Sequence, residues 1–160
     1  MKKDKKKAVS FISENGLREA RSWQERNQNT NKIAQFLKNK KIKKKDRTAA
    51  YMPNTIETGE AFLPTASIGA IWSSCSPDFG VKGVIERFSQ INPKVLFITD
   101  QYFYNGKQIN IIDRLPEILK AIPSIKNVLV TNYPGKSFVG YKKKIKKIKI
   151  TSWTELMMVK

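Results

Sequence analysis

A chain of 160 residues, 40% of them hydrophobic, is long enough to bury one core, and no apolar run approaches the roughly 20 residues needed to span a bilayer. The absence of histidine and the single cysteine exclude Ser-His-Asp and Cys-His nucleophile systems, most zinc sites and any disulfide framework, and point to a soluble, reducing, cytoplasmic compartment. The net charge of +18 raises polyanion binding, but the clusters Lys2–Lys7, Lys38–Lys45 and Lys142–Lys149 are almost all lysine, lie far apart and lack interleaved aromatics, so they are read as solvated, composition-driven charge ahead of a specific nucleic-acid site.

Met1–Lys7 is basic enough to open a signal peptide, yet the apolar stretch Ala8–Ile12 is too short to continue one. Val9–Ile12 and Leu17–Ser22 flank Glu14-Asn15-Gly16 and predict a hairpin of two short strands. Ser22 with Glu25 three residues on is a capping box. It opens a helix of about four turns to Lys38, with Trp23, Ile33, Phe36 and Leu37 as its apolar stripe. Arg26 and Thr30 interrupt that stripe. Thr48–Met52 predicts a short buried strand ended by Pro53-Asn54.

Asn54–Ile68 has helical spacing at Ile56, Ala61, Phe62 and Ala66 but contains Gly59 and Pro64. An interior glycine costs about 1 kcal/mol and a proline about 3 kcal/mol, which predicts a kinked or divided helix. Ala70–Ser73 follows as a strand and breaks at Ser76-Pro77-Asp78. Val81, Val84, Ile85 and Phe88 then recur at helical spacing, with Asp78 placed as the N-cap of a helix over Phe79–Gln90. Lys94–Thr99 is the strongest strand pattern. A turn at Tyr104–Lys107, a helix across Ile111–Ile122 and a strand at Asn127–Thr131 complete the series. Strands alternating with helices predict an α/β fold built on a parallel sheet. Residues 1–7 form a basic tail, 8–133 the folded part, and 134–160 a Lys-rich, weakly structured segment.

In parallel α/β sheets, ligands collect at the loops that leave the strands' carboxyl ends, and Ser76-Pro77-Asp78 is such a corner. Asp78 at a helix start would repel a phosphate while tolerating an uncharged ring. Lys107, in a glycine-containing turn, could meet a phosphate. Taken as residues alone, both segments are equally sound turns without a ligand. Cys75 reads as a small buried residue with no base to activate it, Trp72 as core, and Asp100 as a strand-end turn residue.

Four blocks, Asp46–Asn54 (DRTAAYMPN), Ser67–Gly80 (SIGAIWSSCSPDFG), Ile91–Phe97 (INPKVLF) and Tyr104–Lys107 (YNGK), resemble the acetoacetate–CoA ligases of the adenylate-forming superfamily, in order and with nearly their spacing. The resemblance implies a reaction in which ATP, with Mg2+, activates acetoacetate as an acyl adenylate and coenzyme A then displaces AMP. It implies coenzyme A contacts at Ser76, Pro77 and Asp78, along the adenine, and at Tyr104, Asn105, Gly106 and Lys107, toward the 3′-phosphate. Related acetate-activating enzymes have arginines where this chain has Tyr104 and Lys107, which weakens the expected phosphate contact because lysine lacks arginine's bidentate fork.

The family's Gly-rich phosphate loop, its adenosine and magnesium motif and its C-terminal catalytic lysine have no counterpart in these 160 residues. The chain looks like the N-terminal quarter or so of such an enzyme, catalytically silent alone. A standalone module for coenzyme A, a subunit beside a complementing C-terminal chain, and a basic nucleic-acid-associated protein are the other readings. Arg26, Thr30, Asn31, Lys41, Gly59, Glu60 and Pro64 depart from the family pattern at costs of about 1–3 kcal/mol each, as relaxed selection would leave.

Overall fold

The computed structural model describes residues 4–134 and 148–158. A two-stranded hairpin comes first, β1 (Lys7–Ile12) and β2 (Arg18–Ser22). It turns through Gly16 at φ 80°, a left-handed value that glycine adopts without strain. Helix α1 (Trp23–Asn39) starts on the capping box as expected: the Ser22 hydroxyl accepts the Glu25 amide at 3.2 Å, and the Glu25 carboxylate accepts the Ser22 amide at 2.7 Å. The helix ends in a Schellman motif, the Ile42 amide donating to the Leu37 carbonyl and the Lys41 amide to the Lys38 carbonyl. Lys41 therefore stands at φ 58°, where glycine is the usual occupant.

Five parallel strands make the sheet: β3 (Arg47–Tyr51), β4 (Ile71–Cys75), β5 (Val95–Thr99), β8 (Asn127–Thr131) and β9 (Lys149–Ser152), in the spatial order β4-β3-β5-β8-β9. β5 and most of β8 are buried on both faces, as the run Val95–Thr99 demands of central parallel strands. One face is covered by α3 (Val81–Ile91) and α4 (Leu115–Ala121), whose Val84, Phe88, Leu115 and Ile118 pack on Leu96, Ile98 and Val128. The other is covered by α1, α2 (Ile56–Ser67) and α5 (Trp153–Met158), whose Ile33, Phe36, Leu37, Ala61 and Trp153 pack on Val95, Phe97 and Leu129. Between β5 and α4 stands a second hairpin, β6 (Gln101–Tyr104) and β7 (Lys107–Asn110).

Several expectations are corrected. Of the kinked and divided alternatives for α2, the divided one is removed: the helix is continuous across Gly59 and Pro64. Pro64 is buried, and only one turn follows it. That turn is pinned by the Thr65 hydroxyl donating to the Ala61 carbonyl at 2.8 Å and the Ser67 hydroxyl to the Pro64 carbonyl at 2.9 Å. Trp23 leaves the apolar stripe: it is 43% exposed, and the Arg26 guanidinium lies 5.3 Å from its ring centroid. Trp72 is half-buried on the β4 edge, between Phe62 and Phe97, and is not full core. The helix expected over Ile111–Ile122 divides into a 3-10 turn (Ile112–Arg114) and α4, with Pro116 in the first turn where its missing amide is harmless. Within the segment expected to be weakly structured, residues 149–158 form β9 and α5. Residues 135–147 lie outside the described ones.

Candidate functional site

The order β4-β3-β5-β8-β9 reverses direction between β3 and β5, because β4 follows β3 in the chain but sits on its far side. A crevice forms at the carboxyl ends of strands on either side of such a reversal. A cleft of about 250 Å³ lies there, lined by Met52, Pro53 and Asn54 after β3, Ser74–Asp78 at the end of β4, and Tyr102, Phe103 and Tyr104 of the β6 hairpin.

Asp78 does not cap α3: the N-cap is Gly80, with no side-chain hydrogen bond. The helix starts two residues later than that spacing suggests, and Asp78 lines the cleft instead. Its Oδ1 accepts the Tyr102 hydroxyl at 2.8 Å and its Oδ2 accepts the Ser76 hydroxyl at 2.8 Å. Burial, followed by the hydrogen bond to Asp78 and that residue's negative charge, pushes the Tyr102 phenol up to about 12, so it stays a donor. Tyr104 stacks on Tyr102 with ring centroids 6.3 Å apart and is 55% exposed, presenting an aromatic face at the mouth.

The corner is also held from below. The Tyr51 hydroxyl donates to the Phe79 carbonyl at 2.6 Å, and Arg114 donates to that hydroxyl and, at 3.1 Å, to the Pro77 carbonyl. Pro77 is buried while Ser76 and Asp78 are exposed. Burial outweighs the Arg114 contacts and raises the Tyr51 phenol above its ordinary value, so it too stays protonated. Cys75 is buried, as expected, and that burial raises its thiol above its ordinary value. Asp100 is a buried anchor: its Oδ1 accepts the Gln101 amide at 2.7 Å and the Tyr133 amide at 2.8 Å, fixing the start of the β6 hairpin to the end of β8.

The Tyr104–Lys107 segment is the tip of that hairpin. Asn105 at φ 49° and Gly106 at φ 72° form the two left-handed central residues of a type I′ turn. The Gly106 amide donates to the Glu14 carboxylate at 3.2 Å, so the first hairpin buttresses the second. Tyr104 lines the cleft with Ser76, Pro77 and Asp78; Asn105, Gly106 and Lys107 lie beyond its lining. A carboxylate thus occupies the turn's free amide, and Lys107 supplies the tip's positive charge. The arrangement suits a planar, uncharged ring with a hydrogen-bond donor facing Asp78, bounded by Tyr104 and Pro77.

A family profile described as AMP-binding enzyme matches residues 2–151. The chain belongs to the AMP-binding enzyme family. Within the family it is similar to acetoacetyl-CoA synthetases: 41% identical over 133 residues to that of Gallus gallus, covering 82% of this chain and 20% of that one. Against the Xenopus tropicalis enzyme it is 51% identical over 92 residues, 58% of this chain and 14% of the other. The solved acetoacetyl-CoA synthetase from Streptomyces lividans superposes with a TM-score of 0.83 at 28% identity, over 96% of this chain and 22% of that chain. The resemblance read from the four blocks therefore holds. The chain spans about a fifth of the length of the first two curated relatives' sequences.

Tyr102, Tyr51 and Arg114 are site residues that sequence reasoning missed. For Tyr102 a signal existed: Asn-Gly at the end of an aromatic run marks a hairpin, and the period of two aims Tyr102 and Tyr104 the same way. Arg114 reaches Tyr51 across 63 positions, and nothing local announces such a pairing.

Proposed function

We propose that this chain is the N-terminal part of the large domain of an acetoacetate–CoA ligase, that its cleft receives the nucleotide end of coenzyme A, and that these 160 residues do not catalyse the ligation by themselves. The observation that carries the reading is the Ser76-Pro77-Asp78 corner, clamped by Tyr102 at the point where the strand order reverses. Asp78 accepts hydrogen bonds and repels phosphate, so the adenine's amino group fits it and the phosphates run outward toward Lys107. No glycine-rich cradle for ATP phosphates occurs in the sequence, so adenylation is assigned to no residue here.

Calorimetric titration with coenzyme A, beside an assay of AMP release from ATP, acetoacetate and coenzyme A, tests the proposal. The expected result is saturable binding without AMP, with affinity lowered roughly 2- to 10-fold by Tyr102→Phe, the range of one hydrogen bond. AMP formed by the pure chain would contradict the silent assignment. Binding indifferent to Tyr102→Phe and to Asp78→Ala would remove the cleft from the proposal.

A further inference from the structure

The opposite end of the sheet carries a second cleft, of about 470 Å³ and so within the usual range for ligand sites, with no role in the chemistry above. Its position follows from four strand starts. The Lys94 amide donates to the Arg47 carbonyl at 2.9 Å, the Lys126 amide to the Lys94 carbonyl at 3.1 Å, and the Lys149 amide to the Lys126 carbonyl at 3.2 Å. Cations thus begin, or immediately precede, four adjacent strands, which lie about 4.8 Å apart. Lys40 and Lys41, at the end of α1, close the cleft from one side, and Arg47, Lys94 and Lys126 line it from the sheet.

Among the described residues no carboxylate lines this cleft. Asp46 pairs with Lys94 at 2.7 Å; among the described residues the other four lining cations pair with no carboxylate, while Arg47 donates to the Ile91 carbonyl and Lys126 to the Pro123 carbonyl at 2.6 Å. Like charges at this spacing repel, and a bound anion relieves them. A second, independent feature is Ser124, a lining residue whose hydroxyl is buried behind the cleft surface and has no hydrogen-bond partner among the described residues. Buried hydroxyls are normally satisfied, so this one is a donor in want of an acceptor. The lysine clusters read as scattered along the sequence are therefore partly gathered by the fold, Lys38–Lys45 meeting Lys94 and Lys126.

We propose that the cleft at the amino-terminal edge of the sheet binds a compact, multiply charged phosphate, with Arg47 and Lys126 as its principal charge partners and Ser124 as a neutral donor. The lack of aromatic lining favours a small oligophosphate over a nucleic-acid strand, whose bases stack on aromatic side chains along a groove. None of the described residues lining the cleft is aromatic.

The test is titration of the full chain with inorganic triphosphate, followed by calorimetry and by the rise in melting temperature that a native-state ligand produces. Arg47→Gln with Lys126→Gln should weaken binding roughly tenfold or more, and Ser124→Ala roughly 2- to 10-fold. Lys82→Gln with Lys120→Gln removes the same charge from the surface of α3 and α4 and should change affinity less than about twofold. Equal losses from the two double variants would mean that net charge alone attracts the anion and would overturn the proposal. So would no binding by the unaltered chain, or binding of an oligothymidylate at this edge where triphosphate does not bind.

Discussion

Glu60 shows how much one buried group can bias this fold. It is 1% exposed on α2, and both carboxylate oxygens accept the Asn29 side-chain amide of α1 at 3.1 Å. Burial, reinforced by the neighbouring Glu57 and opposed by Asn29, raises its carboxyl to about 7. An acid that titrates higher folded than unfolded holds its proton longer in the native state. Its contribution is therefore full below the unfolded value of 4.5 and is lost as pH rises toward 7. Urea denaturation should show stability falling between pH 5 and pH 8 by up to about 3 kcal/mol from this group, and Glu60→Gln should flatten that slope. An unchanged slope in the Gln variant would assign the pH dependence elsewhere, to Glu57 or Asp100, both also raised by burial. Asn29 and Glu60 are also a reason to revise the view of α1 and α2 as decaying helices, because a polar residue on one meets a polar residue on the other. Thr30 remains unexplained, its hydroxyl buried without a partner among the described residues.

At the scale of the elements, α2 is where local propensity lost to packing. A proline in a helix interior costs about 3 kcal/mol, yet the buried ring gives back part of that through about two methylenes' worth of apolar burial, near 1.5 kcal/mol. Pro64→Ala should therefore stabilise the protein by about 1–2 kcal/mol in chemical denaturation, less than the helix penalty alone suggests. A neutral or destabilising result would mean that the ring's packing balances its missing amide. The elements that could be read from sequence are those whose signal is local: the capping box at Ser22, the apolar run before Thr99, and the spacing of Val81, Val84, Ile85 and Phe88. The misread ones depend on distant partners. β9 (KITS) closes a lysine-rich stretch of sequence and pairs with the edge that β8 offers it, and Trp23 is exposed with the Arg26 guanidinium over its ring. Asp78 stands where a cap belongs by spacing, but Tyr102, 24 positions away, holds it in the cleft. The turn chemistry of the candidate site was legible; its clamp was not.

On the scale of the whole molecule, the sheet has two chemically different ends and an incompletely covered edge. Its carboxyl end holds the Asp78 cleft, with no cation among the described lining residues; its amino end gathers the lysines. At the β4 edge, Ile71 is 50% and Phe62 44% exposed beside the half-buried Trp72, the kind of apolar edge that further protein would cover. No described helix is long and apolar enough to cross a membrane. The central claim is that coenzyme A enters at the reversal of strand order and meets the clamped corner. Amide shift changes in the 15N-labelled full chain during titration with coenzyme A test this most directly. The account predicts that the largest saturable changes fall on Ser76, Asp78 and Tyr102–Gly106, and that Asp78→Ala reduces them. Changes confined to Arg47, Lys94 and Lys126, or no saturable change at the corner, would contradict it.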